Sequence, residues 1–293
     1  MIETVDLTKK YGDFVALDSL DLKLERGDLF GFIGPNGAGK TTTIRILATL
    51  LAPTWGEAYV CGYSVHTHPR EIRRAIGYMP DVFGVYDDMR VGEYLEFFAA
   101  AYRITGPERR RVAERSLELV DLGSKRDELV TSLSRGMTQR LGLARVLLHD
   151  PEVLLLDEPF GALDALTRGT IQDELLKICA ATHQTVFMIT HDVDEAILLA
   201  DKILLMSNGP VARVAEVVCN TLPRDRQRAA LHHEPGFYEL RNHLVDFLVS
   251  RSKDLSRGRA PAHPPEVRPA DAARRPSTTA ATPGGALHLQ RVA

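Results

Sequence analysis

Residues Gly34-Pro35-Asn36-Gly37-Ala38-Gly39-Lys40-Thr41 spell G-x-x-x-x-G-K-T between two stretches of different periodicity. Before them, Leu29–Ile33 is an apolar run short enough for a buried strand. After them, Ile44, Leu47, Ala48 and Leu51 recur at helical spacing. A strand, a glycine-rich loop and a helix start form the context in which this pattern is a phosphate-binding loop. The glycines let successive backbone N–H groups turn inward, and the helix dipole adds positive potential at the same place. Lys40 is expected to reach the β- and γ-phosphates of a nucleoside triphosphate, and the Thr41 hydroxyl to ligate Mg²⁺.

A hydrophobic fraction of 44% and a charged fraction of 26% are those of a soluble globular protein. A net charge of −3 gives no reason to expect nucleic-acid binding. Cys61, Cys179 and Cys219 are scattered with no C-x-x-C, which suits buried thiols in a reducing compartment. No apolar run approaches the roughly 18 residues a bilayer span needs, and the N-terminus has no signal-peptide pattern, so a cytoplasmic chain is expected.

Residues 2–7 and 19–25 alternate apolar and polar, as half-buried antiparallel strands do. Tyr11-Gly12 reads as a turn between them, and the Tyr11 ring is open to two uses, packing or stacking on a nucleotide base. Pro53–Gly56 is a turn before a strand to Cys61, 69–74 a short proline-started helix, and Ile76–Met79 a brief strand ended by Pro80-Asp81. Two amphipathic helices are expected at 91–102 and 108–121; Arg109, Arg110, Arg111 and Arg115 form a solvated face on the second. Ser134 suits the N-cap of a helix running through Leu148.

Val153–Asp157 is an apolar strand ending in Asp157-Glu158, where a P-loop protein places its metal-binding Asp. A helix at 167–182 and a buried strand at 185–190 then deliver His191 to the same sheet edge. Late strands at 203–206 and 211–218 flank Asn208-Gly209-Pro210, and 236–250 is a last amphipathic helix. From about Arg251, Pro261, Pro264, Pro265, Pro269, Pro276 and Pro283 punctuate an Ala/Arg/Ser/Thr-rich tail expected to be disordered.

Over residues 1 to about 250 this set resembles the ATPase subunits of ABC (ATP-binding cassette) transporters. The resemblance implies an α/β fold: a P-loop NTPase core of ABC type, an antiparallel β portion and a helical subdomain inserted at about 80–150. Tyr11 is similar to the adenine-stacking aromatic, and Gly34 to Thr42, including Thr42 itself, to the phosphate loop. Leu133-Ser134-Arg135-Gly136-Met137 resembles the family signature, in which Ser134 and Gly136 would meet nucleotide; Arg135 and Met137 depart from its commonest form. Asp157 resembles the metal Asp, Glu158 the general base, Ala162-Leu163-Asp164 the dimer-contact loop and His191 the γ-phosphate-sensing His.

Asp81 stands where the family usually has Gln, so it is either a third metal-facing group beside Thr41 and Asp157 or a residue that caps the turn after Pro80. Residues 1–159 look like ATPases of ABC-2-type exporters, whereas 160–250 look like nitrate and sulfonate/taurine importer ATPases. With one phosphate loop and one signature per chain, the resemblance implies a dimer with a second copy or a homologous ATPase, ATP as substrate and Mg²⁺ as cofactor. It also implies membrane-spanning permease partners and a peripheral place on the cytoplasmic face of the cell membrane. A soluble ABC ATPase of translation or DNA repair is the alternative, without the second cassette or long coiled-coil insertion usual there.

Overall fold

The computed structural model describes residues 1–251, except 83, 85, 162 and 210, together with residues 265–268. The expectations for Ala162, Pro210 and most of the tail therefore lie outside the described residues.

The chain opens with β1 (Ile2–Tyr11), β2 (Phe14–Leu24), β3 (Leu29–Ile33), α1 (Lys40–Leu47), β4 (Trp55–Val60), β5 (Tyr63–Ser64), α2 (Pro69–Ala75) and β6 (Ile76–Met79). Helices α3 (Val91–Ala101), α4 (Gly106–Leu119) and α5 (Arg135–Leu147) follow. Then come β7 (Val153–Asp157), α6 (Ala165–Thr182), β8 (Thr185–Ile189), α7 (Val193–Leu199), β9 (Lys202–Met206), β10 (Val214–Cys219), α8 (Phe237–Asp246) and β11 (Glu266–Val267).

Two sheets result. Strands β2-β1-β4-β5 form an antiparallel sheet, and β11-β10-β9-β3-β8-β7-β6 a larger one. Between β9 and β6 every pairing in the larger sheet is parallel, so β3, β8, β7 and β6 present their C-terminal ends along one edge. Their residues are buried on both faces, the condition that produces near-continuous apolar runs. Successive side chains of β3 and β7 serve opposite cores. Phe30, Phe32, Val153 and Leu155 pack towards α1 and the antiparallel sheet. Leu29, Ile33, Leu154 and Leu156 pack with residues of α3–α8.

Several boundaries differ from the sequence expectation. β1 and β2 run on to Tyr11 and from Phe14, closing a hairpin at Gly12-Asp13, so Tyr11 ends a strand instead of sitting in a turn. Bulges hide this length from a period-two reading: Asp6 and Ser19 take positive φ (51° and 46°), and the register shifts beyond Thr4. α6 begins two residues early because the Asp164 carboxylate accepts from the backbone N–H groups of Leu166 and Thr167 (3.1 and 3.0 Å). β10 starts at Val214, since Val211 (φ 69°) leaves the ladder and donates its N–H to Val15 O at 3.0 Å.

The tail needs a correction at its described residues. Glu266-Val267 adds a parallel strand to β10, with Val217 N donating to Pro265 O at 3.0 Å and Lys202 Nζ 3.6 Å from Glu266. An edge strand offers unpaired backbone groups irrespective of side-chain hydrophobicity, so a tail without an apolar face can still pair there.

Candidate functional site

Four neighbouring strand ends build the site. Phe32 and Asp157 both lie beside Ile189 of β8, which places Gly34 after β3, Asp157-Glu158 at the end of β7 and Thr190-His191 after β8 side by side. β6, paired with β7, delivers Pro80-Asp81 to the same edge.

The loop after β3 is shaped by glycine. Gly37 and Gly39 both have φ 78°, and Gly39 is the N-cap of α1. A Cβ on Gly39 would lie 2.4 Å from Leu17 Cδ2 and 2.7 Å from Ala16 O, so the loop is moulded against β2 as well as turned. Ala38 N donates to Pro35 O at 3.2 Å, and Pro35 and Asn36 form the loop's outer rim with Gly37. Thr41 and Thr42, both half-buried, follow in the first turn of α1.

Lys40 is 7% exposed, and its Nζ donates to Gly34 O (2.8 Å) and Pro35 O (3.0 Å). Burial lowers its pKa, while the Glu158 and Asp157 carboxylates oppose that shift. Asp157, 3% exposed, accepts from the Thr41 hydroxyl at 3.3 Å. Burial raises its pKa; Thr41 opposes the shift, and the charges of Glu158 and Asp81 add to it. The negative charges of Glu158 and Asp81 around Asp157 favour a cation at this place. Mg²⁺ retains water and phosphate oxygens and takes few protein ligands, so one carboxylate and one hydroxyl fit it. Among the described residues no three His, Cys, Asp or Glu side chains converge as a metal-binding group.

Glu158 takes positive φ (51°), a costly conformation for a residue with a Cβ, and its N–H is held by Ile189 O at 3.1 Å. The turn brings its carboxylate 3.3 Å from His191 Nδ1. Asp81 lines a cleft of about 650 Å³ with Glu158, Gly161, Arg135, Thr138 and Gln139. Asp81 therefore faces the same cleft as Glu158, and its charge reaches Asp157.

Other expected residues stand apart from this cluster. The Ser134 hydroxyl is turned into its own helix, accepting from Met137 N at 3.3 Å, and Gly136 is buried against Thr167 of α6. Arg135 between them lines the Glu158 cleft; nothing in its sequence position singled it out as a lining group. Tyr11 is half-exposed at the end of β1, with Lys9 Nζ 5.3 Å from its ring centroid. Among the described residues, no helix is long and apolar enough to cross a membrane.

The sequence profile of the family described as "ABC transporter" matches residues 17–161. The nitrate import ATP-binding protein NrtD of Synechococcus elongatus is 37% identical over 240 residues, covering 82% of this chain and 87% of NrtD. The bicarbonate transport ATP-binding protein CmpC of the same species is 38% identical over 241 residues, 82% of this chain; the chain spans only 36% of CmpC's length. Among solved structures, a dimeric post-hydrolysis state of the ATP-binding cassette MJ0796 bound to ADP and Pi superposes with a TM-score of 0.67 at 29% identity. It covers 75% of this chain and 99% of that one.

Proposed function

Because this chain belongs to the family of ABC transporter ATP-binding proteins, we propose that it hydrolyses ATP to drive transport through membrane-spanning partner subunits. The observation that carries the reading is the convergence of the phosphate loop, the Thr41–Asp157 pair and the Glu158–His191 pair on one sheet edge.

In this reading the loop N–H groups from Gly34 to Thr42 hold the phosphates, and Lys40 exchanges its two carbonyl partners for phosphate oxygens. Thr41 and Asp157 would hold Mg²⁺, which when bound supplies positive charge to the phosphates. Glu158 orients the attacking water and accepts its proton, and its strained turn fixes where the carboxylate points. His191 donates to the γ-phosphate oxygen that gains charge. Tyr11 stacks on the base, and Asp81 joins the metal-facing group.

Ser134 and Gly136 meet nucleotide held by a second copy or a homologous subunit. Helix α5 would present that first turn across a dimer. The complex then sits peripherally on the cytoplasmic face of the cell membrane. Relatives named for bicarbonate and nitrate favour uptake of a small anion over export.

Steady-state hydrolysis of Mg-ATP by the purified chain tests this. Lys40→Ala is expected to abolish turnover and weaken nucleotide binding. Undiminished turnover in that variant would remove the site from the phosphate loop.

A further inference from the structure

The turn that carries His191 is held from behind by a chain of hydrogen bonds, buried at its centre, that the proposed chemistry does not itself use. The His191 side chain is 60% exposed, so its own packing does little to place it. Thr190, just before it, is anchored instead. Its N–H donates to Phe32 O in β3 (3.2 Å), and its hydroxyl oxygen accepts from Asp192 N (3.0 Å). The same hydroxyl donates to Glu195 Oε2.

Glu195 sits in the first turn of α7 and is buried, as are Thr190 and Gln172. Its other oxygen accepts from Gln172 Nε2 of α6, and Gln172 Oε1 accepts from Arg228 Nη2. An amide donates at one end and accepts at the other, so Gln172 can pass the placement of Arg228 on to the carboxylate.

The far end of α7 is gripped by the same stretch of chain. Ile197 O and Ala200 O each accept from Asn220 Nδ2 (2.8 Å each) and from Arg226 Nη1 (3.0 and 2.8 Å). Residues 220–228 therefore hold α7 at its C-terminal end directly and at its N-terminal end through Gln172.

We infer that Glu195 is a positioning residue for His191, held in place by Arg228 of the 220–228 segment through Gln172. The functional consequence rests on the reading of His191 as the group that contacts the γ-phosphate. Burial raises the pKa of Glu195, while the bonds from Thr190 and Gln172 oppose that shift by favouring the charged form. In that form the carboxylate fixes both donors more firmly than a neutral acceptor would, because charge-assisted bonds are stronger. Displacing the segment frees Gln172, then Glu195, then the Thr190–Asp192 turn. The nucleotide loop, tied separately to β2, is left in place.

The test uses the full chain with isotope-labelled histidine, its His191 imidazole resonance assigned by loss in His191→Ala, alongside steady-state ATPase assays. Arg228 is exposed, so Arg228→Ala is expected to keep the fold, which its melting temperature checks. It is expected to shift the His191 resonance and lower kcat three- to tenfold, with KM for ATP within twofold. Arg228→Lys keeps a donor and is expected to restore most of the loss. Glu195→Gln keeps the shape, loses the charge and is expected to act in the same direction as Arg228→Ala.

An unmoved resonance and parental kcat in both Arg228→Ala and Glu195→Gln would overturn the inference, even with His191→Ala inactive. So would a loss in which KM rises as much as kcat falls, the mark of general damage. Parental turnover in His191→Ala would instead overturn the reading of His191 itself, a result on which the resonance of the Arg228 variant does not depend.

Discussion

Gly37 and Gly39 share a backbone angle but not an environment, and this allows the moulding of the phosphate loop to be measured. Both have φ 78°; a Cβ on Gly37 would meet nothing within 4 Å, whereas one on Gly39 would meet Leu17 Cδ2 at 2.4 Å and Ala16 O at 2.7 Å. An alanine forced into the left-handed region costs roughly 1–2 kcal/mol, and this cost is common to both positions. Overpacking against β2 adds about 1–3 kcal/mol at Gly39 alone, since a backbone oxygen cannot rotate away as a side chain can. Gly37→Ala should therefore lose about 1–2 kcal/mol and Gly39→Ala about 2–5 kcal/mol. Urea unfolding of the nucleotide-free variants measures the gap. Equal losses would refute the argument, by showing that β2 yields freely and does not shape the loop.

Two of the acids give further tests. Asp157 has its pKa raised, chiefly by burial, so its folded form holds a proton more tightly than the unfolded chain. Its contribution to stability is present below the unfolded pKa and is lost as pH rises through the folded one, leaving a penalty at neutral pH. Asp157→Asn should accordingly raise the melting temperature of the nucleotide-free protein at pH 7 while removing the extra stabilisation by Mg-ATP. A variant that melts lower than its parent at pH 7 contradicts this. At Asp81, Asn should raise the Mg²⁺ concentration for half-maximal ATPase activity and Gln should keep appreciable turnover. Magnesium titrations that overlay the parent would leave Asp81 as a turn residue.

The parts of the site that local chemistry dictates were legible in the sequence. The glycine spacing from Gly34 to Lys40 admits few backbone paths, and an apolar run ending in Asp157-Glu158 can hardly be other than a buried strand meeting an edge. Ser134 as an N-cap was readable because its hydroxyl acts within one turn. What escaped depends on distant partners. Glu195 meets a residue 23 positions away, and Gln172 meets one 56 away, with no periodicity to announce either. The strand at Glu266-Val267 is stabilised through β10's backbone, which leaves no mark in its own side chains. Positive φ at Asp6 and Ser19 broke the alternation that would have revealed the full length of the first hairpin.

In the proposed reading hydrolysis requires two chains, with Glu158 of one acting on ATP that the partner's α5 also contacts. Glu158→Gln keeps the shape of the side chain and removes its basicity, so ATP should bind and remain uncleaved. Size-exclusion chromatography with light scattering, run with Mg-ATP and with bound nucleotide quantified, reads the outcome directly. A particle of twice the protomer mass that reverts to the protomer when nucleotide is withdrawn is the expected result. A protomer mass at full ATP occupancy would contradict it.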